Sequence, residues 1–148
     1  MASSRVDLLE AEVNRRLANQ FRAQQMFVLQ NVRLHPCELD IVVLDPLTLA
    51  LANIEIKRAN WRAVLRQAIR GQLFCHYSVA VLPVSMRSSV PVIEFEQRGI
   101  GLAFYTEAKR SLKLAVACQP GRSHDVNRLF KRLLYRQFSS LYSESVYA

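Results

Sequence analysis

The chain has few of the residues that build cross-linked or zinc-stabilised proteins. Its 148 residues include 3 cysteines, and Cys37, Cys75 and Cys118 lie far apart with no Cys-x-x-Cys pair. This spacing argues against a disulfide framework or a structural zinc site, and it favours a reducing, cytoplasmic setting. The 3 histidines are equally isolated, so a histidine-based metal centre is not expected.

Long apolar runs and low-complexity segments are also missing. No apolar stretch reaches the roughly 18–20 residues of a membrane span, and the first residues lack the apolar region of a signal peptide. Glycine and proline are scarce, at 4 and 5 residues, and no internal repeat is visible. We therefore expect residues 1–148 to form one domain that buries its own core, with no membrane association.

The charge balance is basic, with 20 Lys and Arg against 12 Asp and Glu and a formal net charge of +8. A basic surface favours polyanions, which are nucleic acids or anionic membrane faces. A solvated surface that is merely basic would have the same composition. The distribution favours nucleic acid, because Arg and Lys line the predicted helices while Asp40 and Glu55 fall in a predicted hairpin.

The most informative pattern is this hairpin. Two runs of strand-forming residues flank the pair Asp45-Pro46, which is typical of a turn. We expect the turn to be centred between Leu47 and Thr48. An antiparallel pairing then follows from counting residues outwards from that centre.

The resulting register gathers charged side chains at the open end of the hairpin. Asp40 lies opposite Glu55, and Glu38 lies opposite Lys57, with opposed side chains roughly 5 Å apart. Glu55 and Lys57 share one face, because successive strand residues alternate. Two facing carboxylates repel each other, and a divalent cation is one way to offset that cost.

The periodicity elsewhere predicts a mixed α/β domain. Asn60 and Asp125 are expected to cap the helices that follow them, and Gly99 is expected to end a short helix. The predicted elements are helix Val6–Phe21, strand Phe27–Val32, the hairpin, helix Trp61–His76, strand Ser78–Pro83, helix Val92–Arg98, strand Ile100–Tyr105, strand Leu112–Cys118 and a basic helix at about 125–142.

Polar residues on apolar helix faces supply further candidates. Glu10 falls near the middle of the apolar stripe of the first helix, whereas Glu12 lies off it. A carboxylate there is costly unless something binds it, although Glu10 near a helix end could also reach solvent. In the helix after Asn60, Gln72 lies on the apolar face and Gln67 at its margin, so either is a candidate contact near the carboxylates.

These motifs together resemble the restriction-endonuclease-like, or PD-(D/E)XK, nuclease superfamily, and its small resolvase-like and repair-associated members. The resemblance covers roughly residues 6–105 and leaves out the C-terminal helix. Its first motif departs from the family pattern, because no Pro-Asp dipeptide precedes the acidic position. The matching motifs are Glu38-Leu39-Asp40, Glu55-Ile56-Lys57, Trp61 with Gln67-Ala68, Val79–Pro83 and Gly99–Leu102.

The resemblance implies a core with a mixed β-sheet flanked by helices, and an endonuclease that hydrolyses DNA phosphodiester bonds in repair, recombination or restriction. Asp40 and Glu55, with the Ile56 carbonyl, would hold Mg²⁺ or Mn²⁺. Lys57 would orient the attacking water and stabilise developing negative charge.

The remaining roles are also those that the resemblance implies. Glu10 would bind the ion through water or hold a second ion, and Gln67 would position Lys57 or a phosphate. Arg58 and Arg62 would contact backbone phosphates. A homodimer suits cleavage of both strands, and a partner protein could confer specificity.

Two other functions fit parts of the sequence. A non-catalytic nucleic-acid-binding subunit would keep the fold and the basic surface, but it has no need of Asp40, Glu55 and Lys57 together. A basic scaffold or membrane-surface protein would need helices with a large exposed apolar face. The predicted helices bury their apolar faces within the domain.

Overall fold

The computed structural model describes the backbone of residues 2–147 and the side chains of residues 10–142. The chain alternates helices and strands in an α/β arrangement, as predicted. Its elements are α1 Ala2–Ala23, β1 Phe27–Leu34, β2 Cys37–Leu44, β3 Leu51–Ile56, α2 Trp61–Gly71, β4 Tyr77–Pro83, a 3-10 turn Val84–Ser89, α3 Val92–Glu96, β5 Gly101–Glu107, β6 Leu112–Cys118 and α4 Arg128–Tyr147.

The strands form a six-stranded mixed sheet in the order β1-β2-β3-β4-β5-β6. The outer pairs β1–β2, β2–β3 and β5–β6 are antiparallel. The central pairs β3–β4 and β4–β5 are parallel. The carboxyl ends of β3, β4 and β5 therefore meet at one edge of the sheet, and α2 is the crossover that makes β3 and β4 parallel.

The predicted hairpin register is confirmed where β2 and β3 pair. Leu44 lies opposite Leu51, and Ile41 lies opposite Ile54. Pairing stops there and β3 ends at Ile56, so the predicted position of Glu38 opposite Lys57 is wrong. Glu38 pairs with Arg33 of β1 instead, because β2 continues alongside β1 after it leaves β3.

Helices cover both faces of the sheet. On one face, Val13 and Leu17 of α1 pack against Ile54 and Ile56 of β3. On the opposite face, one cluster joins α2 to β4 and β5, and another joins α4 to β1 and β2.

The C-terminal helix belongs to the core rather than to the surface alone. Leu134 and Phe138 are buried against the sheet, and Phe130 stacks on Phe74 with ring centroids 4.6 Å apart. Burial of such a side chain contributes about 1.5–3 kcal/mol. The polar face of α4 is rich in arginine, as predicted.

Helix ends follow the predictions in part. Asn60 caps α2 by accepting from Ala63 N–H at 3.2 Å, and Gly99 after α3 has a φ of 71°, as a glycine cap requires. The predicted cap Asp125 is wrong, because the Asn127 side chain accepts from Leu129 N–H at 2.9 Å.

The second helix is also shorter than predicted, since α2 ends at Gly71 rather than near His76. A Cβ at Gly71 would overlap the Asn53 side chain of β3. Glycine therefore allows the last turn of α2 to approach the sheet closely.

Candidate metal and phosphate site

The site begins where β2 and β3 separate. In that gap the Asp40 carboxylate accepts a hydrogen bond from Ile56 N–H at 2.8 Å. The side chain thus replaces the carbonyl that continued pairing would have supplied. Asp40 consequently lies at the carboxyl end of β3, as the hairpin register requires.

A local irregularity aims this side chain. Asn31 of β1 lies opposite Asp40 and has a φ of 51°, and the two strands lose one backbone pair at this position. Leu39 and Val42 both pack on the α4 side, although residues three apart in a regular strand face opposite sides. Such irregularities redirect side chains next to functional sites.

Glu55 is the second carboxylate of the site. Its side chain is 1% exposed, and its Oε1 atom is buried with no hydrogen-bond partner. Burial, followed by the charge of Asp40 and a hydrogen bond with it, raises the pKa of Glu55 to about 9. The predicted clustering of Asp40 with Glu55 is confirmed, and Glu55 keeps its proton at neutral pH when no cation is near.

Lys57 follows directly after β3. Its backbone N–H donates to Val81 of β4 at 3.2 Å, and the residue is half-buried. Within residues 10–142, the ion pairs are those of Glu12 with Arg15 and Arg16. The Lys57 ammonium therefore forms no ion pair in this part of the chain.

Glu10 points inwards and Glu12 outwards, as predicted. The Oε1 atom of Glu10 accepts from Arg58 N–H at 3.1 Å. Glu10 also lines a cavity of about 200 Å³ together with Asp40 and Ile56. Glu12 instead binds Arg15 and Arg16 on the partly exposed side of α1, and these hydrogen bonds, that from Arg15 first, lower its pKa to about 2.

The two candidate glutamines, Gln67 and Gln72, have different surroundings. Gln72 donates to the Arg98 carbonyl at 2.9 Å. Gln67 has a buried Oε1 with no partner. Gly71 of α2 lies against Asn53 of β3, and α2 runs antiparallel to β3. Gln67 lies one helical turn before Gly71, and Glu55 lies two strand residues after Asn53, so the two are level. Gln67 is therefore the glutamine placed near the carboxylates.

The predicted phosphate-binding arginines lie just beyond the carboxylates. Arg58 is exposed and shares a hydrogen bond with the side chain of Tyr105. The Arg62 guanidinium lies over the Trp61 ring, 4.6 Å from its centroid. Their stacking and hydrogen bonding hold both cations near the start of α2.

Two residues of this neighbourhood were missed from the sequence. Tyr105 on β5 is 4% exposed, and burial raises its pKa. Its position at the carboxyl end of an apolar strand was a signal, but only the order of the parallel strands brings it beside Arg58.

The second missed residue is Asn14, one turn after Glu10 on α1. It is 7% exposed and donates to the Asp40 carbonyl at 3.1 Å. Gln30 in turn donates to the Asn14 Oδ1 at 2.8 Å. A polar residue on an apolar helix stripe was the available signal, and the contact supports the backbone at the strand irregularity.

The donor set limits which metal fits. Among the described residues, no group of three or more His, Cys, Asp or Glu side chains converges to hold a metal. Two carboxylates with the Ile56 carbonyl suit Mg²⁺, which prefers oxygen ligands and keeps several waters. The partnerless Glu55 Oε1 is the atom that a cation would satisfy. The residues therefore fit the ion that the resemblance implies.

Comparisons with known proteins define the fold and nothing finer. No family model and no curated protein matches the chain. A solved protein of unknown function from Silicibacter pomeroyi is similar in structure, with a TM-score of 0.66 and 13% identity over 93% of this chain and 88% of that one. The likeness supports the α/β architecture with a mixed sheet flanked by helices. Across the part of the chain that the structure describes, no helix is long and apolar enough to cross a bilayer.

Proposed function

We propose that this protein is a metal-dependent nuclease that hydrolyses DNA phosphodiester bonds. The carrying observation is the buried Glu55 carboxyl, which adjoins Asp40 and has an oxygen without a donor. A fold that keeps this pair at a strand end loses stability by doing so, because the buried Glu55 carboxyl favours its ionised form only when a cation is near.

Asp40, Glu55 and the Ile56 carbonyl would hold one Mg²⁺ or Mn²⁺ ion. When bound, the ion lowers the pKa of a coordinated water and offsets negative charge on the scissile phosphate. The hydrogen bond from Ile56 N–H fixes the orientation of the Asp40 carboxylate. Glu10, which accepts from Arg58 N–H, lines a cavity with Asp40 and Ile56 and would add negative charge on the α1 side.

The cationic and amide groups complete the proposed site. Lys57 would hold the attacking water and stabilise charge that develops on the phosphate oxygens. Gln67, whose Oε1 has no partner, would position Lys57 or a phosphate. The resemblance of the motifs around Asp40 and Glu55 to the restriction-endonuclease-like superfamily supports these assignments.

DNA contact would be largely independent of base sequence. Arg58 and Arg62 are exposed next to the carboxylates. Arg66 and Arg70 are exposed as well, and with Arg62 they form a row of arginines along the outer side of α2. With a net charge of +8, the chain would gain affinity from counterion release. A homodimer or a partner protein would then supply the geometry for specific cleavage.

The test is a cleavage assay on labelled duplex, single-stranded, flapped and four-way-junction DNA with Mg²⁺, Mn²⁺ or EDTA. We expect cleavage only with a divalent ion, and binding that weakens as salt rises. Lys57→Ala should abolish cleavage and leave binding nearly unchanged. The matched control is Lys113→Ala, which removes an exposed lysine of β6 and should cut normally.

One observation favours a second function, a non-catalytic nucleic-acid-binding subunit that keeps the fold. The Asp40 carboxylate has a structural partner in Ile56 N–H, so it has a use without any metal. Binding of DNA without cleavage of any substrate on the panel, together with no uptake of Mn²⁺, would establish this function and exclude the nuclease.

A further inference from the structure

A second cavity lies near the start of β3, and both Met26, just before β1, and Tyr135 of α4 line it. Its volume is about 570 Å³, within the range of small-molecule sites. Ala52 of β3 lines it, whereas Ile56 lines the cavity that Glu10 and Asp40 share. Four strand residues separate the two, which corresponds to about 13 Å along β3. The cavities are therefore separate sites.

The cavity has an apolar floor and a polar rim. The apolar side chains come from β2, from β3 and from the residues just before β1 and β3. The apolar lining residues are Met26, Val43, Leu49, Ala50 and Ala52, and the polar ones are Asp45, Thr48, His76, Tyr77, Arg122 and Tyr135. This composition is that of a site for an organic molecule with a few polar groups.

His76 presents a fixed hydrogen-bond donor to this cavity. The residue is 9% exposed, and its Nδ1 accepts from Leu51 N–H at 2.9 Å. This contact leaves the proton of the neutral ring on Nε2. Burial, followed by the charges of Arg122 and Lys131, lowers the pKa of His76 and keeps it neutral. Within residues 10–142, the Nε2–H group has no hydrogen-bond partner.

The charged groups around His76 determine which kind of ligand group its Nε2–H could bind. The Arg122 guanidinium lies 5.9 Å from the centroid of the Tyr77 ring and lines the cavity with His76. The charge of Lys131 of α4 also lowers the pKa of His76. Asp45 is the acidic residue of the rim, and its Oδ1 already accepts from Leu47 N–H at 2.9 Å. The end of the cavity near His76 is thus positive, and the turn end offers acceptors.

We propose that this cavity binds an organic phosphate monoester of nucleotide size. The phosphate would lie between the Arg122 guanidinium and the His76 Nε2–H, where a positive charge and a hydrogen-bond donor meet its negative charge. The organic part would cover the apolar floor, and its hydroxyl or amine groups would donate to Asp45 and Thr48. The site is independent of the carboxylates and does not depend on nuclease activity.

The experiment is calorimetric titration of the full chain in EDTA, which removes divalent ions. The probes are thymidine 5′-monophosphate, thymidine and inorganic phosphate. We expect the monophosphate to bind best, because thymidine lacks the anion and inorganic phosphate lacks the organic part. Equal binding of thymidine and its monophosphate, or no binding of the monophosphate, would overturn the proposal.

Variants connect the binding to the cavity. Arg122→Ala should weaken the monophosphate by about tenfold or more, through loss of a charge-assisted hydrogen bond. Arg110→Ala removes an exposed arginine of the β5–β6 turn and should leave affinity unchanged. An Arg122→Ala protein that binds as tightly as the wild type would contradict the assignment.

His76 is followed directly, because its replacement would also remove the bond to Leu51 N–H. The ¹⁵N signal of His76 Nε2 in the wild type should shift on addition of the monophosphate and not on addition of thymidine. An unchanged signal at saturation would contradict the proposed contact. A short oligonucleotide with a 5′-phosphate, compared with its 5′-hydroxyl form, then distinguishes a DNA end from a free nucleotide as the source of the phosphate.

Discussion

Ile56 donates its backbone N–H to the Asp40 carboxylate at 2.8 Å, in the gap where β2 and β3 have stopped pairing. The hydrogen bond gives Asp40 a structural role in addition to its proposed role as a metal ligand. These roles involve different properties of the side chain, since the first needs an acceptor oxygen and the second needs negative charge.

Asp40→Asn and Asp40→Ala should therefore separate the two roles. Asn keeps an oxygen for Ile56 N–H, so its stability should stay near that of the wild type, while Mn²⁺ binding should be lost. Ala leaves the N–H without its acceptor, so the free energy of unfolding should fall by about 1–3 kcal/mol. Urea denaturation and calorimetry with Mn²⁺ measure both effects. Equal stability of the two variants would show that the hydrogen bond from Ile56 N–H does not stabilise the fold.

Glu55 should make the metal-free protein less stable as pH rises. Its folded pKa of about 9 lies above the usual value of 4.5, so the native state holds a proton that the unfolded chain releases. The stabilising contribution is complete below pH 4.5 and is lost as pH rises towards 9, at up to about 1.4 kcal/mol per pH unit. Glu55→Gln should flatten this dependence. Denaturation in EDTA at pH 5.5, 7 and 8.5 measures it.

Glu12→Gln is the matched control for that experiment. Hydrogen bonds from Arg15 and Arg16 hold the pKa of Glu12 at about 2, so its contribution is present above pH 4.5 and falls only in acid. The variant should leave the slope between pH 5.5 and 8.5 unchanged. A wild-type slope that survives in Glu55→Gln would assign the dependence to another group.

Gly71→Ala should destabilise the protein even though alanine favours helix. The new Cβ would overlap the Asn53 side chain, and overpacking of this kind costs about 1–3 kcal/mol. Truncation of the neighbour in Gly71→Ala/Asn53→Ala should restore part of the loss, so the double variant should be more stable than the sum of the single changes predicts. Arg70→Ala, on the exposed side of α2, is the control. Strict additivity in urea denaturation would argue against the contact.

Tyr105→Phe should weaken DNA cleavage through Arg58. The change removes the hydroxyl that shares a hydrogen bond with Arg58, and it keeps the buried ring. We expect a loss in cleavage rate that is smaller than that of Arg58→Ala, with almost no further loss when both changes are combined. Rates at several salt concentrations measure this coupling. Independent losses that multiply in the double variant would show that Tyr105 does not act by positioning Arg58.

Local patterns were enough to predict the elements and one edge of the site. The turn after Asp45 fixed the register, because each residue counted from the turn centre has only one partner. The apolar stripe of α1 also separated Glu10 from Glu12, because both positions depend on helix geometry alone.

Features that depend on the neighbours of a strand or helix could not be predicted in the same way. Glu38 pairs with Arg33 because β2 has a second neighbour, which a hairpin argument leaves out. The end of α2 depends on Asn53, a residue of another element. Tyr105 reaches Arg58 only because β5 lies beside β4 in the sheet.

The bond from Arg58 N–H to Glu10 joins α1 to the chain just after β3. An amide exchanges its hydrogen with solvent only when its acceptor moves away, so the exchange of this one proton measures how often the two segments part. In deuterated solvent, the exchange rate of the Arg58 amide therefore reports how often the first helix separates from the carboxylates. Its rate can be read in the resting protein, with no substrate and no metal present.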